Sequence, residues 1–110
     1  MTWTLVEYQD EAGRSSFGRW YQELSPQAAA KVTTALYRLE QGNTSNCKSV
    51  GGGVSEVRID FGPGYRVYYG YDGKVMIILL GGGSKKRQQH DIEQAKQRWL
   101  DYKRSKRDKR

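Results

Sequence analysis

The middle of the chain reads Val54-Ser55-Glu56-Val57-Arg58-Ile59-Asp60-Phe61, Gly62-Pro63-Gly64, Tyr65-Arg66-Val67-Tyr68-Tyr69-Gly70-Tyr71, Asp72-Gly73-Lys74 and Val75-Met76-Ile77-Ile78-Leu79-Leu80. The first two long runs alternate and are rich in β-branched and aromatic residues, the period of half-buried strands. The third is apolar at every position, as a central strand covered on both faces must be. Gly-Pro-Gly and Asp-Gly are turn signals, because Pro fixes φ and Gly supplies a positive φ. A three-stranded antiparallel meander is expected.

A three-residue loop at Gly62, Pro63 and Gly64 would set Phe61 opposite Tyr65, Asp60 opposite Arg66 and Arg58 opposite Tyr68. Opposed residues share a sheet face, as do residues two apart on a strand. One face then carries Val57, Ile59, Phe61, Tyr65, Val67, Tyr69 and Tyr71 and reads as a core face. The other carries Glu56, Arg58, Asp60, Arg66 and Tyr68, a set that a purely structural sheet does not need. A slip of one residue would mix the two sets.

Around this meander the chain supplies two helices before it and one after it. Trp3 to Tyr8 suits a first, edge strand. Ser15 or Ser16 can cap a helix that presents Phe17, Trp20, Tyr21 and Leu24 at helical spacing. Ser25-Pro26 caps and opens a second helix, with Val32, Ala35, Leu36 and Leu39 in its buried stripe and Gly42-Asn43 as a left-handed stop. The pair forms a hairpin able to cover the apolar sheet face. A short strand is expected near Lys48 to Val50, and Gly81, Gly82 and Gly83 are expected to lead out of the sheet. A last helix follows, with Ile92, Ala95, Trp99 and Tyr102 on one side.

The 110 residues make one domain, expected to span 1–104, with a basic tail at 105–110. The net charge of +7 favours an anionic partner, with a merely soluble basic domain as the bland alternative. The single cysteine, Cys47, cannot form an internal disulfide, and its distance from His90 argues against a nucleophilic pair. No signal peptide or long apolar segment stands out, so a cytoplasmic protein with no membrane partner is expected. One Cys, one His and carboxylates without ligand spacing predict no metal site, and no other cofactor is indicated.

What remains is a concentration of cations. Arg58 and Arg66 lie on the sheet, Lys48 just before it, and Lys85, Lys86 and Arg87 just after it, with Tyr68 among them and His90 at the rim. Such a set can hold a phosphodiester, offset negative charge on a pentacovalent phosphorus and stack a base. A solvated polar face, with Glu56 and Asp60 as structural ion-pair partners, is the competing reading. Arg66→Ala is expected to leave the fold intact, as a polar-face change that opens no cavity.

The run from Lys48 through Gly51-Gly52-Gly53 to Gly62-Pro63-Gly64-Tyr65-Arg66 resembles the core of the RelE/ParE-superfamily toxins, nearest to the HigB-like addiction-module killer subgroup. Leu79-Leu80-Gly81-Gly82-Gly83-Ser84-Lys85 with Gln88, Asp91-Ile92 and Ala95-Lys96 resembles that subgroup's C-terminal motif, although Ser84 stands where Asp is common. The resemblance implies an α+β, RelE-like fold: an antiparallel-rich twisted sheet with an N-terminal helical hairpin on one face and a C-terminal helix. It implies the toxin of a type II toxin–antitoxin pair, a metal-independent endoribonuclease that cuts ribosome-bound mRNA. An acidic antitoxin partner follows, and with it a possible heterotetramer. By the same resemblance Arg66 offsets transition-state charge, Arg58 supports the scissile phosphate, Lys85 and Lys48 contact phosphate, and His90 is a candidate proton donor. Tyr68, Lys86 and Arg87 complete the expected RNA-binding set. The rival functions are a ParE-like toxin that poisons DNA gyrase and a non-catalytic nucleic-acid-binding module.

Overall fold

The computed structural model describes residues 2–108. The elements in chain order are β1 (Thr4–Glu7), α1 (Ser16–Gln22), α2 (Pro26–Glu40), β2 (Cys47–Gly51), β3 (Val54–Ile59), β4 (Tyr65–Asp72) and β5 (Met76–Ser84). A single 3-10 turn (Lys85–Arg87) then leads into α3 (Gln88–Asp108). The strands form one five-stranded sheet in the order β1-β5-β4-β3-β2, antiparallel except for the edge pair β1 and β5.

The two N-terminal helices begin as their sequences predict. Ser15 Oγ accepts from the Gly18 amide at 2.9 Å, and Ser25 Oγ from the Ala28 amide at 3.2 Å, each satisfying an orphan donor of the first turn. Gly42, at φ +88°, closes α2 with its amide on the Leu39 carbonyl at 2.9 Å. Phe17, Val32 and Leu39 from these helices bury against Val57, Ile59, Val67, Tyr69, Ile77 and Leu79 of the sheet. The opposite face receives α3: Ala95 and Trp99 pack on Val54, Tyr68, Ile78 and Leu80. Successive residues of β5 thus feed two cores, which explains its unbroken apolar run.

Two expectations change at the strand ends. The β3–β4 register pairs Ile59 with Tyr65, Val57 with Val67 and Arg58 with Arg66, so the connection holds five residues, Asp60 to Gly64, and not three. The Phe61 amide bonds the Ile59 carbonyl at 2.9 Å, and the Gly64 amide bonds the Phe61 carbonyl at 3.1 Å. These local turns end the ladder early and remove Asp60 from the strand. The slip is by two residues, so every residue that stays paired keeps its predicted face.

The second change concerns Gly81, Gly82 and Gly83, which lie inside β5 and do not leave the sheet. They are glycines because helix side chains press on the strand. A Cβ on Gly82 would overlap the Trp20 ring of α1, and one on Gly83 would overlap the Asp91 carboxylate of α3. A bulge between Tyr68 and Tyr69 sets Tyr68 opposite Gly81 and Tyr69 opposite Leu79. The Leu80 carbonyl beside it accepts from Arg98 Nη1 of α3 at 3.1 Å. Residues 105–108 of the expected basic tail continue α3, and Lys106 Nζ reaches Asp72 Oδ1 at 2.5 Å. Lys109 and Arg110 lie outside the described residues. No helix among the described residues is long and apolar enough to cross a membrane.

Candidate active site

Helix α3 covers only part of its sheet face. Gln88 starts over Glu56, Asp91 lies on Gly83, Trp99 lies over Gly70, and Tyr102 bonds Asp72. The rung Arg58–Arg66, two steps past Glu56–Tyr68 on the ladder and the next on the same face, is left outside the helix footprint. There the end of the sheet opens into a cleft of about 360 Å³ lined by Asn46, Arg58, Asp60, Tyr65, Arg66 and Lys85 among others. Three of the predicted catalytic cations therefore converge. Gly64 lies between two of them: a Cβ placed on it would stand 3.7 Å from both Arg66 Nη1 and Lys85 Cβ.

Arg66 is held rather than free. Its Nη1 donates to the Gly64 carbonyl at 3.0 Å, and its Nε lies 3.5 Å from Glu56 Oε2. Glu56 is fully buried, and its other oxygen accepts from Gln88 Nε2 at 3.1 Å. The Arg66–Glu56 contact is an ion pair without hydrogen-bond geometry, since neither Nε nor Oε2 has a hydrogen-bond partner within the protein. Arg66 is 8% exposed, so a charged group has been carried into the sheet and matched there by a buried carboxylate. This corrects the expectation for Arg66→Ala. That change strands the Glu56 carboxylate in the interior, and it destabilises the fold as well as removing a charge.

Tyr68 also needs correction as an RNA-binding residue. It is 1% exposed under α3 and cannot stack a base. Burial first, then the Glu56 and Asp91 carboxylates, push its hydroxyl up to about 12, while Arg66 opposes them. Burial likewise raises the Asp91 carboxyl, against the pull of Arg87, His90 and Arg98. His90 is exposed and is not among the side chains lining the cleft. Lys86 and Arg87 are exposed on the turn next to Lys85, and Lys48 is exposed on β2 opposite Glu56. They flank the cleft's charge without lining it. Of the Glu56–Asp60 network expected on this face, the Arg66–Glu56 pair forms, whereas Asp60 has moved into the loop and lines the cleft.

Sequence reasoning missed Tyr65 and Asn46 as cleft residues and Gln88 as part of the brace behind Arg66, whereas Glu56 was expected as an ion-pair partner on this face. The signal for Glu56 was present: a carboxylate two positions from Arg58 on a face that also needs a helix. Chemically, the cleft offers one held and two exposed cations beside a carboxylate and a phenol. Such a wall lowers the energy of a dianionic phosphorus centre more than that of the monoanionic diester, because the added charge forms where the cations already point.

Comparison with known proteins agrees with this architecture. Residues 19–100 match the model of the family described as "Phage derived protein Gp49-like (DUF891)". An uncharacterised protein of Haemophilus influenzae is 45% identical over 82 residues, covering 74% of this chain and 83% of its own length. Among solved structures, a double-arginine mutant of the E. coli toxin RelE in the free state superposes with a TM-score of 0.66 at 19% identity, over 89% of this chain and 98% of that one. Five strands in this order, a helical hairpin on one face and a C-terminal helix on the other are the RelE fold, and the chain belongs to the phage-derived Gp49-like family.

Proposed function

We propose that this protein is the toxin of a type II toxin–antitoxin pair, close to the HigB-like subgroup, and that it is an endoribonuclease acting on ribosome-bound mRNA. The observation that carries the reading is the convergence of Arg58, Arg66 and Lys85 on one open cleft. The ribose 2′-oxygen attacks the adjacent phosphorus, and its proton passes to a base at the cleft wall. Arg66, Arg58 and Lys85 offset the charge of the resulting phosphorane. The P–O5′ bond then breaks and the 5′-oxygen takes a proton, leaving a 2′,3′-cyclic phosphate and a 5′-hydroxyl. Asp60 and Tyr65 are the lining groups with the chemistry to accept and to donate those protons. The cognate antitoxin is an acidic chain that covers this basic end of the molecule, with a heterotetramer as the expected assembly.

The test uses the exposed cations, since Arg66 is entangled with the fold. Wild type and Arg58→Gln/Lys85→Gln are induced, and cellular RNA 5′ ends are mapped by a ligation that requires prior phosphorylation. Discrete new 5′-hydroxyl ends with the wild type and their loss in the variant, at equal thermal stability, support the reading. Intact mRNA with altered DNA supercoiling would replace it by the gyrase-directed alternative. Growth arrest with neither would also overturn it.

A further inference from the structure

The cleft does not end at Arg58. A second depression of about 320 Å³ runs on between α2 and the β2–β3 edge, and Asn46, Arg58, Ile59 and Asp60 line both. Its helix wall carries Lys31 and Arg38, both exposed, and its far wall carries Asn43, Ser45 and Asn46. Val57 and Ile59 reach it from the sheet, so the groove has an apolar component beneath its polar rim. Lys31 Nζ stands 5.7 Å from the Phe61 ring centroid, which holds this cation beside the loop that also forms the first cleft.

We propose that this groove is a substrate-strand subsite, in which Lys31 and Arg38 bind the phosphates of the single-stranded RNA flanking the scissile bond. The proposal rests on the ribonuclease reading of the first cleft and extends it. Three cations, Lys31, Arg38 and Arg58, face one carboxylate, Asp60, along a path continuous with the scissile position. The side-chain amides of Asn43 and Asn46 and the hydroxyls of Thr34 and Ser45 line the groove with the cations, and these can meet base edges or ribose hydroxyls. The depression between the β1–α1 loop and the end of α3 is lined by Asp10, Glu11, Asp101 and Asp108 against Arg104, so its lining is net acidic where that of the groove is net basic. A phosphodiester strand leaving the cleft finds the cations of the groove on the α2 side.

The test is fluorescence anisotropy of a labelled single-stranded RNA dodecamer, 2′-O-methylated at every position so that it cannot be cut, titrated with the full chain from 0.1 to 1 M salt. The variant is Lys31→Gln/Arg38→Gln. The control is Lys74→Gln/Arg107→Gln, which removes the same charge from the other end of the sheet. Losing two phosphate contacts lowers the salt slope by roughly 1.4, about 0.7 per contact on single strands. Over that decade of salt this weakens binding at 0.1 M by about 25-fold. The control is expected to bind within about twofold of wild type, with a slope drop well under that of the groove variant. Equal effects of variant and control would reduce the groove to non-specific charge and overturn it. Unchanged RNA binding in the groove variant, alongside RNA cutting by the wild type in cells, overturns the subsite alone and assigns the groove to a protein partner. Absence of cutting in cells removes the parent reading first, and the subsite with it.

Discussion

Glu56→Gln isolates what the buried carboxylate does for Arg66. The substitution keeps the shape, and the new amide oxygen can still accept from Gln88 Nε2, as Glu56 Oε1 does at 3.1 Å. The atom facing Arg66 changes from a charged acceptor to an uncharged amide donor. At the observed 3.5 Å the gross attraction is about 5 kcal/mol with an effective dielectric near 20. Desolvation of the two charges offsets part of that, and the contact lacks hydrogen-bond geometry, so the low end of the range for breaking a buried pair applies, about 3 kcal/mol. For a domain of this size that is a fall of roughly 15 °C in Tm. Urea melts of wild type, Glu56→Gln, Arg66→Met and the double variant form the cycle. Each single change leaves a buried charge alone, whereas the double leaves none, so a coupling above about 2 kcal/mol is expected. Additivity within about 0.5 kcal/mol would show that the two charges do not depend on each other, and the account of the brace would be wrong.

Gly83→Ala should cost roughly 1–3 kcal/mol in a thermal melt, because its Cβ drives Asp91 and the first turn of α3 off the sheet. Adding Asp91→Ala should restore most of the loss, and a neutral single variant would refute the packing argument. Asp72 is held below the usual carboxylate range by hydrogen bonds from Lys106 and Tyr102. Its contribution is fully present above the unfolded value of about 3.9 and is lost as pH falls through the lower folded value. The stability gap between wild type and Asp72→Asn, read by urea melts, should therefore narrow from pH 6 to pH 2, and a constant gap would contradict the assignment.

The division of the sheet into two faces was legible because it depends on parity alone. Val57, Ile59, Val67 and Tyr69 fall on the hairpin side whether the β3–β4 loop holds three residues or five. The loop length was not legible: Phe61 reads as the next apolar position of an alternating strand, and only its amide bond to Ile59 shows that the chain has already turned. The glycine run misled for a related reason. Glycine signals freedom when its neighbours are unknown, whereas here Gly82 and Gly83 are spaces kept clear for Trp20 and Asp91. Arg58, Arg66 and Lys85 could be grouped from the sequence because they sit on adjoining strand ends. Tyr68 was misjudged because its period fixes a face and says nothing about how far a helix 20 or more residues away will extend over that face.

That extent is what separates core from cleft on the second sheet face. The rungs Glu56–Tyr68 and Arg58–Arg66 follow each other on one face of the ladder, yet Tyr68 is interior and Arg58 is open to solvent. The boundary falls where α3 begins, and two contacts place it there: Gln88 on Glu56 and Asp91 on Gly83. A helix starting one turn earlier would cover Arg58 and leave its charge without water. One starting a turn later would bare Glu56 and release Arg66 from the interior. Glu56 thus serves two surfaces at once, accepting from the helix with one oxygen and facing Arg66 with the other. The packing of α3 and the posture of Arg66 are for this reason a single structural fact, and damage to either should appear in both.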